Sequence, residues 1–363
     1  MSAGPEPDRP LLAIDRQQQL LDLIHQRGTV RVADLAAELD VAAATIRRDI
    51  ATLAADGRVH RVHGGATALR AETAAEASSS SLAGLGMLVP SLDYYWPGVV
   101  RGAEQTARDA GMRVMLRGSS YTSDDERPHL VRLLEQGASA LLVSPSVVGA
   151  QIAETIAWMS ELTVPVVVVE RPSLADLGPA PFEQVYSDHA FGGAQAVRHL
   201  ASLGHRRIAF AAAPDSPTGP SVREGWSRTL DTLDVPTSSR VDLGIPKDGL
   251  KISEAALDQV IEQIQAQGCT AALVHADAQA IALVQRLEEH GYSVPADLSV
   301  VAYDDEFAGL FSPSLTAVRP ARAAIGRAAV ELAISRLRDP ERPIHRTAIL
   351  PTLHVRESSA PLT

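Results

Sequence analysis

Ala42-Ala43-Ala44-Thr45-Ile46-Arg47-Arg48-Asp49-Ile50-Ala51-Thr52-Leu53-Ala54-Ala55 is the stretch whose reading decides the N-terminal fold. Ile46, Ile50 and Leu53 recur at i, i+4 and i+7, the spacing of one buried helical face. Ala43, Ala44, Thr45, Arg47 and Arg48 are left toward the outward, N-terminal side of that helix. Upstream, Asp40-Val41 makes a turn, and Val32–Leu39 reads as a short helix carrying Leu35, Ala36 and Leu39. Residues 16–27 place Leu20, Leu23 and Ile24 on one face of a further helix. Downstream of Gly57, Arg58, Arg61 and His63 alternate with Val59 and Val62, the period of a short β-ribbon with a basic face.

A helix reached across a tight turn presents its N-terminal residues to the major groove in helix-turn-helix proteins. Arginine pairs bidentately with guanine or clamps a phosphate, alanine allows close approach and touches thymine methyls, and Thr45 can bond a phosphate. The ribbon supplies a basic wing for the phosphate backbone or minor groove. The candidate DNA contacts are therefore Ala43, Ala44, Thr45, Arg47, Arg48, Arg58, Arg61 and His63. Adjacent arginines alone would more often be a solvated helix face; it is the wing in register with the helix that favours DNA.

Charge is distributed in the same sense. The whole chain carries −11. Between residues 16 and 66, seven arginines against six acidic residues leave +1, so the remainder carries −12. A mildly basic head on an acidic body suits selective binding better than indiscriminate coating of nucleic acid.

Residues 67–83 are rich in alanine and serine, with four consecutive serines, and read as a flexible linker after a head spanning 16–66. Residues 1–15 read as a disordered tail, polar and proline-rich without a basic-then-apolar leader, which points to a cytoplasmic rather than secreted protein. From residue 84 onward, short β-branched runs alternate with longer helical stretches, the signature of parallel strands with crossover helices. Candidate strands include Met87–Val89, Ala140–Val143, Val166–Val169 and Val300–Ala302; periodicity alone leaves open one large sheet or two smaller lobes. Hydrophobic residues make up 45% of the chain, yet no apolar run approaches the ~18 residues of a membrane span. A lone Cys269 excludes an internal disulfide and a multi-cysteine zinc site. No cofactor or metal is expected.

The head segments Arg16-Gln17-Gln18-Gln19-Leu20, Val32-Ala33-Asp34-Leu35-Ala36, Thr45-Ile46-Arg47-Arg48-Asp49-Ile50 and Arg61-Val62-His63-Gly64-Gly65-Ala66 resemble the DeoR-family winged helix-turn-helix. Beyond residue 84 the chain resembles the effector domain of LacI/GalR-family regulators, themselves similar to periplasmic sugar-binding proteins. Val89-Pro90-Ser91-Leu92-Asp93, Arg101-Gly102, Gly137–Val143 with Ser144-Pro145-Ser146, Leu203-Gly204-His205-Arg206-Arg207-Ile208-Ala209, Val294–Val301, Asp304-Asp305 and Val355-Arg356-Glu357-Ser358 carry that resemblance in order. It implies a multidomain α/β protein whose body has two lobes with parallel sheets and three crossings. The N-lobe is expected at about 84–187 plus 308–335, and the C-lobe at about 188–307 plus 336–363. Ligand would sit between the strand ends. Candidate lining residues are Asp93, Tyr94, Tyr95, Trp96, Asp188, His189, Trp226, Asp277 and Asp304, aromatic rings for the apolar face of a sugar and carboxylates for its hydroxyls.

Three departures stand beside the resemblance. Sugar-binding relatives carry arginine at the position of Val222, where Arg223 is displaced by about 100° around a helix. The asparagine before the Asp277 position is Ala276, and a polar residue is replaced around Arg319-Pro320. Each lost donor would weaken an ordinary hexose by about 1 kcal/mol or more. The linker and head also replace the hinge helix of LacI-type proteins, so coupling would run through dimer geometry.

The reading is a homodimeric, ligand-responsive regulator, a repressor of carbohydrate uptake or catabolism genes, with double-stranded operator DNA and a sugar or sugar derivative as partners. The alternative is a DNA-binding dimer whose degenerate pocket takes no sugar and answers to another ligand or a protein. An enzyme is disfavoured: Gly84-Leu85-Gly86 precedes a strand instead of following one, so it fails as a dinucleotide loop. No nucleophile elbow, P-loop or metal-ligand cluster is present, and Asp124-Asp125-Glu126 reads as a solvated helix start. A transport binding protein would have the body without the head.

Overall fold

The computed structural model describes Arg16, Gln17, Gln19–Leu21, Leu23, Ile24, Thr29–Leu39, Val41–Ala55, Val59–Val62, Gly65–Ala68, Ala83–Ser146, Gln151–Asp176, Phe182–Asp248 and Lys251–Leu362. Chain contacts divide it into two units, 1–81 and 82–363. The expected tail 1–15 lies outside the described residues, as does the expected linker from residue 69 to 82.

In the first unit the described positions from Arg16 to Ile24 are helical. They are followed by β1 (Thr29–Arg31), α1 (Val32–Glu38), α2 (Ala43–Ala55), β2 (Val59–Val62) and β3 (Gly65–Ala68). Leu20, Ile24, Leu35, Ile46, Ile50 and Leu53 close into one core, as the helical spacing requires, and Val30 and Val59 join it from the sheet. The sheet has the order β1-β3-β2, antiparallel throughout. Its third strand was assigned in part to the linker. Ala66 pairs with both Val30 and Arg61, so the wing continues to Ala68. Gly65 explains the missed pairing: a Cβ there would lie 2.2 Å from the Val30 carbonyl oxygen.

The second unit contains two six-stranded sheets. The first is built from β4 (Ala83–Val89), β5 (Met112–Gly118), β6 (Ala138–Val143), β7 (Val166–Val169), β8 (Glu183–Ser187) and β16 (Arg346–Ile349), in the order β16-β8-β7-β6-β4-β5. All of its pairings are parallel. The second is built from β9 (Ile208–Ala212), β10 (Asp242–Gly244), β13 (Ala271–His275), β14 (Ser299–Tyr303), β15 (Thr316–Arg319) and β17 (Thr352–His354), in the order β10-β9-β13-β14-β15-β17. Only β15 and β17 run antiparallel within it. A small hairpin, β11 (Lys247–Asp248) with β12 (Lys251–Ile252), stands apart.

Helices α3 (Trp96–Asp109), α4 (Arg127–Glu135), α5 (Ile152–Ser160) and α10 (Arg322–Arg338) pack on the first sheet. Helices α6 (His189–Ser202), α7 (Gly219–Thr232), α8 (Glu254–Ala266) and α9 (Asp277–Glu289) pack on the second. Near-continuous Val/Ile/Leu/Ala strands follow from burial on both faces. Each lobe has one pair of helices in very close approach; a Cβ on Gly225 of α7 would lie 1.9 Å from the Ala190 carbonyl oxygen of α6.

The chain crosses between lobes after Ser187, between Arg319 and Arg322, and between Ile349 and Thr352. The second and third crossings therefore fall later than expected at 307/308 and 335/336. Strand β15 pairs with β14 and so stays in the C-lobe, whereas α10 packs against α3 and β16 pairs with β8, which places both in the N-lobe. Gly84-Leu85-Gly86 lies inside β4, as a strand and not a phosphate loop. Among the described residues no helix is long and apolar enough to cross a membrane.

Candidate functional site

Helix α2 separates its two faces sharply. Ile46, Ile50 and Leu53 are buried, while Ala44, Arg47 and Arg48 are exposed and Ala43 and Thr45 are half-buried. Ala42, just before the helix, has no side-chain oxygen to cap it. Among the described residues neither Arg47 nor Arg48 has an ion-pair partner. Asp49 behaves differently from the arginines before it. It is buried and accepts from Arg16 Nε at 2.7 Å and from Gln17 Nε2 at 3.2 Å, fastening the first helix to α2. Arg61 lies in β2. Arg58 and His63 fall outside the described residues.

A cavity of about 450 Å³ opens between the lobes at the C-terminal ends of their strands, where open α/β sheets bind ligands. Ser91 and Asp93 to Trp96 reach it after β4, Glu170 and Arg171 after β7, and His189 at the start of α6. From the other sheet come Ser216 and Thr218 after β9, His275 at the end of β13 and Asp304 after β14. Asp93, Tyr94, Tyr95, Trp96, His189 and Asp304 thus come together as read from the sequence.

Three expected residues do not. Trp226 is buried in the C-lobe core and its Nε1 donates to the Ile208 carbonyl at 2.9 Å. Asp188 caps α6, accepting from Phe191 N at 2.8 Å. Asp277 is fully buried under the loop after β14. Its Oδ2 accepts from the backbone N–H groups of Glu306, Phe307 and Ala308 at 2.6, 2.7 and 3.1 Å, and its Oδ1 from Asp305 N at 3.2 Å. Burial pushes the Asp277 carboxyl up to about 6, against the pull of those amides. Asp188 and Asp277 closely follow strand ends, yet their carboxylates are taken up by the backbone of their own lobe, and Trp226 lies two turns into α7.

The cavity wall is held by a polar network. The Tyr95 hydroxyl donates to Glu170, which also accepts from Ser187 N at 3.0 Å and from Ser187 Oγ at 2.8 Å. His189 Nε2 stands 3.7 Å from Glu170 Oε2, and its Nδ1 meets the Tyr303 hydroxyl at 3.0 Å. Burial alone would raise the Glu170 carboxyl, but the His189 imidazole and the Tyr95 and Ser187 bonds hold it below the ordinary carboxylate range. Burial pushes the Asp304 carboxyl up, against the pull of His189, Arg322 and the Tyr94 hydroxyl. Tyr94, Glu170 and Asp304 have φ of 56°, 57° and 91°, left-handed values that non-glycine residues adopt at a cost. All three line the cavity.

Sequence reading missed Tyr121, Arg171, Thr218 and His275. Trp96 Nε1 donates to the Tyr121 hydroxyl at 2.8 Å, and the Arg171 guanidinium lies 5.9 and 5.8 Å from the Trp96 and Tyr121 ring centres. His275 Nε2 meets Thr218 Oγ1 at 3.0 Å. A charged pair directly after the buried run Val166–Val169 was the available signal for Arg171. The other residues left none.

Further expectations resolve here. Asp305, a landmark of the resemblance, is a buried carboxylate in contact with Arg319 at 2.8 Å, Arg356 at 2.8 Å and His354 at 3.0 Å. Glu126, expected on a solvated helix start, is 3% exposed and accepts from Ser119 Oγ at 2.6 Å and Ser146 N at 2.9 Å. Val222 is packed in the C-lobe core, Arg223 pairs with Asp242 at 2.8 Å, and Ala276 lines the cavity without a polar group.

Comparison with known proteins bears on both units. A DeoR-like helix-turn-helix domain matches residues 16–72, and a periplasmic binding protein-like domain matches residues 197–359. The arabinose metabolism transcriptional repressor of Geobacillus stearothermophilus is 27% identical over 83% of this chain and 82% of its own length. An uncharacterised HTH-type transcriptional regulator of Streptomyces limosus is 29% identical over 91% of this chain and 94% of its own. The crystal structure of a LacI family transcriptional regulator from Enterococcus faecium with bound ribose matches with a TM-score of 0.63 at 23% identity, covering 77% of this chain and all of that one.

Proposed function

We propose, for a chain that joins a DeoR-like helix-turn-helix domain to a periplasmic binding protein-like domain, a ligand-responsive transcriptional repressor whose effector is a small polyol. The head binds operator DNA through α2, with Arg47 and Arg48 at base edges and phosphates and Ala43, Ala44 and Thr45 allowing the close approach. Arg58, Arg61 and His63 serve the wing. Two heads of a homodimer read two half-sites. The protein acts in the cytoplasm without catalysis or a cofactor, in keeping with relatives named as regulators.

The observation that carries the reading is the origin of the cavity wall. Tyr94, Tyr95, Trp96 and Arg171 come from one lobe, and Thr218, His275 and Asp304 from the other. A ligand that touches both sets binds the closed arrangement better than the open one, and that difference in affinity is what can shift a conformational equilibrium. Aromatic rings with a few convergent polar groups in a cavity of this size suit a monosaccharide or small glycoside. The polar groups that converge on the cavity, Glu170, His189, His275 and Asp304, favour a sugar over the alternative of a pocket that takes none.

The test is to recover genomic fragments retained by the purified protein at physiological salt, and to titrate them with a panel of pentoses, hexoses and glycosides. One or more sugars should change the affinity for the retained fragments at least tenfold. Equal affinity for every duplex and scrambled competitor, with or without sugars, would overturn the proposal.

A further inference from the structure

Tyr303, at the end of β14, is fully buried and is not part of the cavity wall. Its hydroxyl lies beside His189 and Gly192, just after the first crossing, and Gly192 in turn lies against Pro351 in the third. A Cβ on Gly192 would stand 2.4 Å from the hydroxyl oxygen, so only glycine leaves the phenol its place. Among the described residues that hydroxyl has one hydrogen-bond partner, His189 Nδ1 at 3.0 Å. The Tyr303 ring centre is 5.7 Å from that of His189 and 5.1 Å from that of His275.

Hydrogen-bond accounting places the protons. Burial, with the Asp304, Glu170 and Asp188 carboxylates nearby, pushes the Tyr303 phenol well above its usual range, so it keeps its hydrogen. A buried hydroxyl hydrogen needs an acceptor. Nδ1 is the one within reach, and it accepts only as a bare ring nitrogen. The other side of the imidazole gives the same answer. Nε2 is buried, has no hydrogen-bond partner among the described residues, and faces Glu170 Oε2 at 3.7 Å. Glu170 already accepts from Tyr95 and Ser187 and is a carboxylate. A carboxylate attracts an N–H and repels a bare nitrogen. An imidazolium, or the other tautomer, would strand the Tyr303 hydrogen.

We propose that Tyr303 is a positioning residue: its hydroxyl donates to Nδ1 and fixes His189 as the neutral tautomer with its proton on Nε2, aimed across the first crossing at Glu170. The hydrogen bond made by one ring nitrogen decides what the other carries. Tyr303 belongs to the C-lobe and Glu170 to the N-lobe, so a side chain outside the cavity sets the direction of a contact between the lobes. Its part in the effector response rests on the reading of the cavity as the effector site; the tautomer does not.

Nitrogen NMR of the full chain, labelled at its histidines and recorded at neutral pH, tests the tautomer, with His189→Gln identifying the signal. His189 should show one protonated and one bare nitrogen, the proton on Nε2. A proton on Nδ1, or on both nitrogens, overturns the assignment, and that result needs no variant at the tyrosine. Tyr303→Phe keeps the ring and removes the donor, so the Nδ1 signal should move downfield, toward a nitrogen that accepts no bond. An unmoved signal also overturns the assignment. Arabinose, ribose and cellobiose test the effector response. Whichever of them changes the operator affinity of the wild type should change that of Tyr303→Phe at least threefold less. An undiminished change removes Tyr303 from the response while leaving the effector site standing. If none of the three acts on the wild type, the effector-site reading falls and the response with it, and the spectra still decide the tautomer.

Discussion

Asp49 accepts a hydrogen bond from Arg16 Nε at 2.7 Å, so the acidic residue of the Thr-Ile-Arg-Arg-Asp string points inward while its two arginine neighbours point out. Asp49→Ala should destabilise the head by about 2 kcal/mol, the usual cost of losing a partly buried hydrogen bond to a charged group. Denaturant unfolding followed by a probe in the head measures this. Operator affinity should recover at low temperature, where the head is folded, which separates a structural loss from a contact loss.

Arg47→Ala and Arg48→Ala should do the opposite. Neither side chain is paired within the described protein, so stability should change by less than about 0.5 kcal/mol. Operator affinity should fall, by about 1–3 kcal/mol for an arginine that reads a base. For one that clamps a phosphate, the slope of log affinity against log salt should decrease by about 1. Unchanged affinity and slope in both variants would remove α2 from the groove.

Trp96 and Trp226 offer a contrast in a single experiment. Trp96 lines the cavity, whereas Trp226 is locked to Ile208 in the C-lobe core. Trp96→Phe should abolish any sugar-induced change in tryptophan fluorescence and weaken sugar binding. Trp226→Phe should retain the fluorescence response and sugar affinity but lower stability by about 1–3 kcal/mol, from the orphaned carbonyl and lost packing.

Asp277 predicts a pH dependence. Its folded value, about 6, lies above the ordinary aspartate value of 3.8. Between these the folded chain holds a proton that the unfolded chain has released. This group's contribution therefore favours the fold at acid pH and is lost as pH rises from about 4 through 6, by at most roughly 1.4 kcal/mol per unit. Urea unfolding between pH 4 and 7 should show that component in the wild type. It should be missing in Asp277→Asn, whose amide does not titrate.

What could be read from the sequence divides along physical lines. The head was legible because Ile46, Ile50 and Leu53 declare a helix locally. The wing's third strand was legible only in part, because Ala66 pairs with Arg61 across a turn and also with Val30, a pairing no local pattern announces. In the body, Tyr94-Tyr95-Trp96 stood out as contiguous aromatics after a strand. Strand ends locate the cavity but do not say which way a side chain turns: His275 faces it and Asp277, two residues on, is sealed beneath a loop. Several landmarks of the resemblance also prove to be architectural. Ser358 Oγ donates to the Val300 carbonyl at 2.6 Å and accepts from Thr316 N at 2.8 Å, and His205 joins Thr270 Oγ1 at 2.9 Å to the Ala360 carbonyl at 3.0 Å.

The late crossings bear on how the chain is made. When a ribosome has released everything up to Pro320, the first sheet still lacks its edge strand Arg346–Ile349 and the helix Arg322–Arg338 that covers Val99 and Ala103. The nascent lobe therefore shows a bare apolar face and an open β edge until synthesis is nearly complete, a window in which aggregation competes with folding. A truncation that falls between Pro320 and Ile349 therefore strips the half of the body that was synthesised earliest, besides taking the strand Thr352–His354 from the other half.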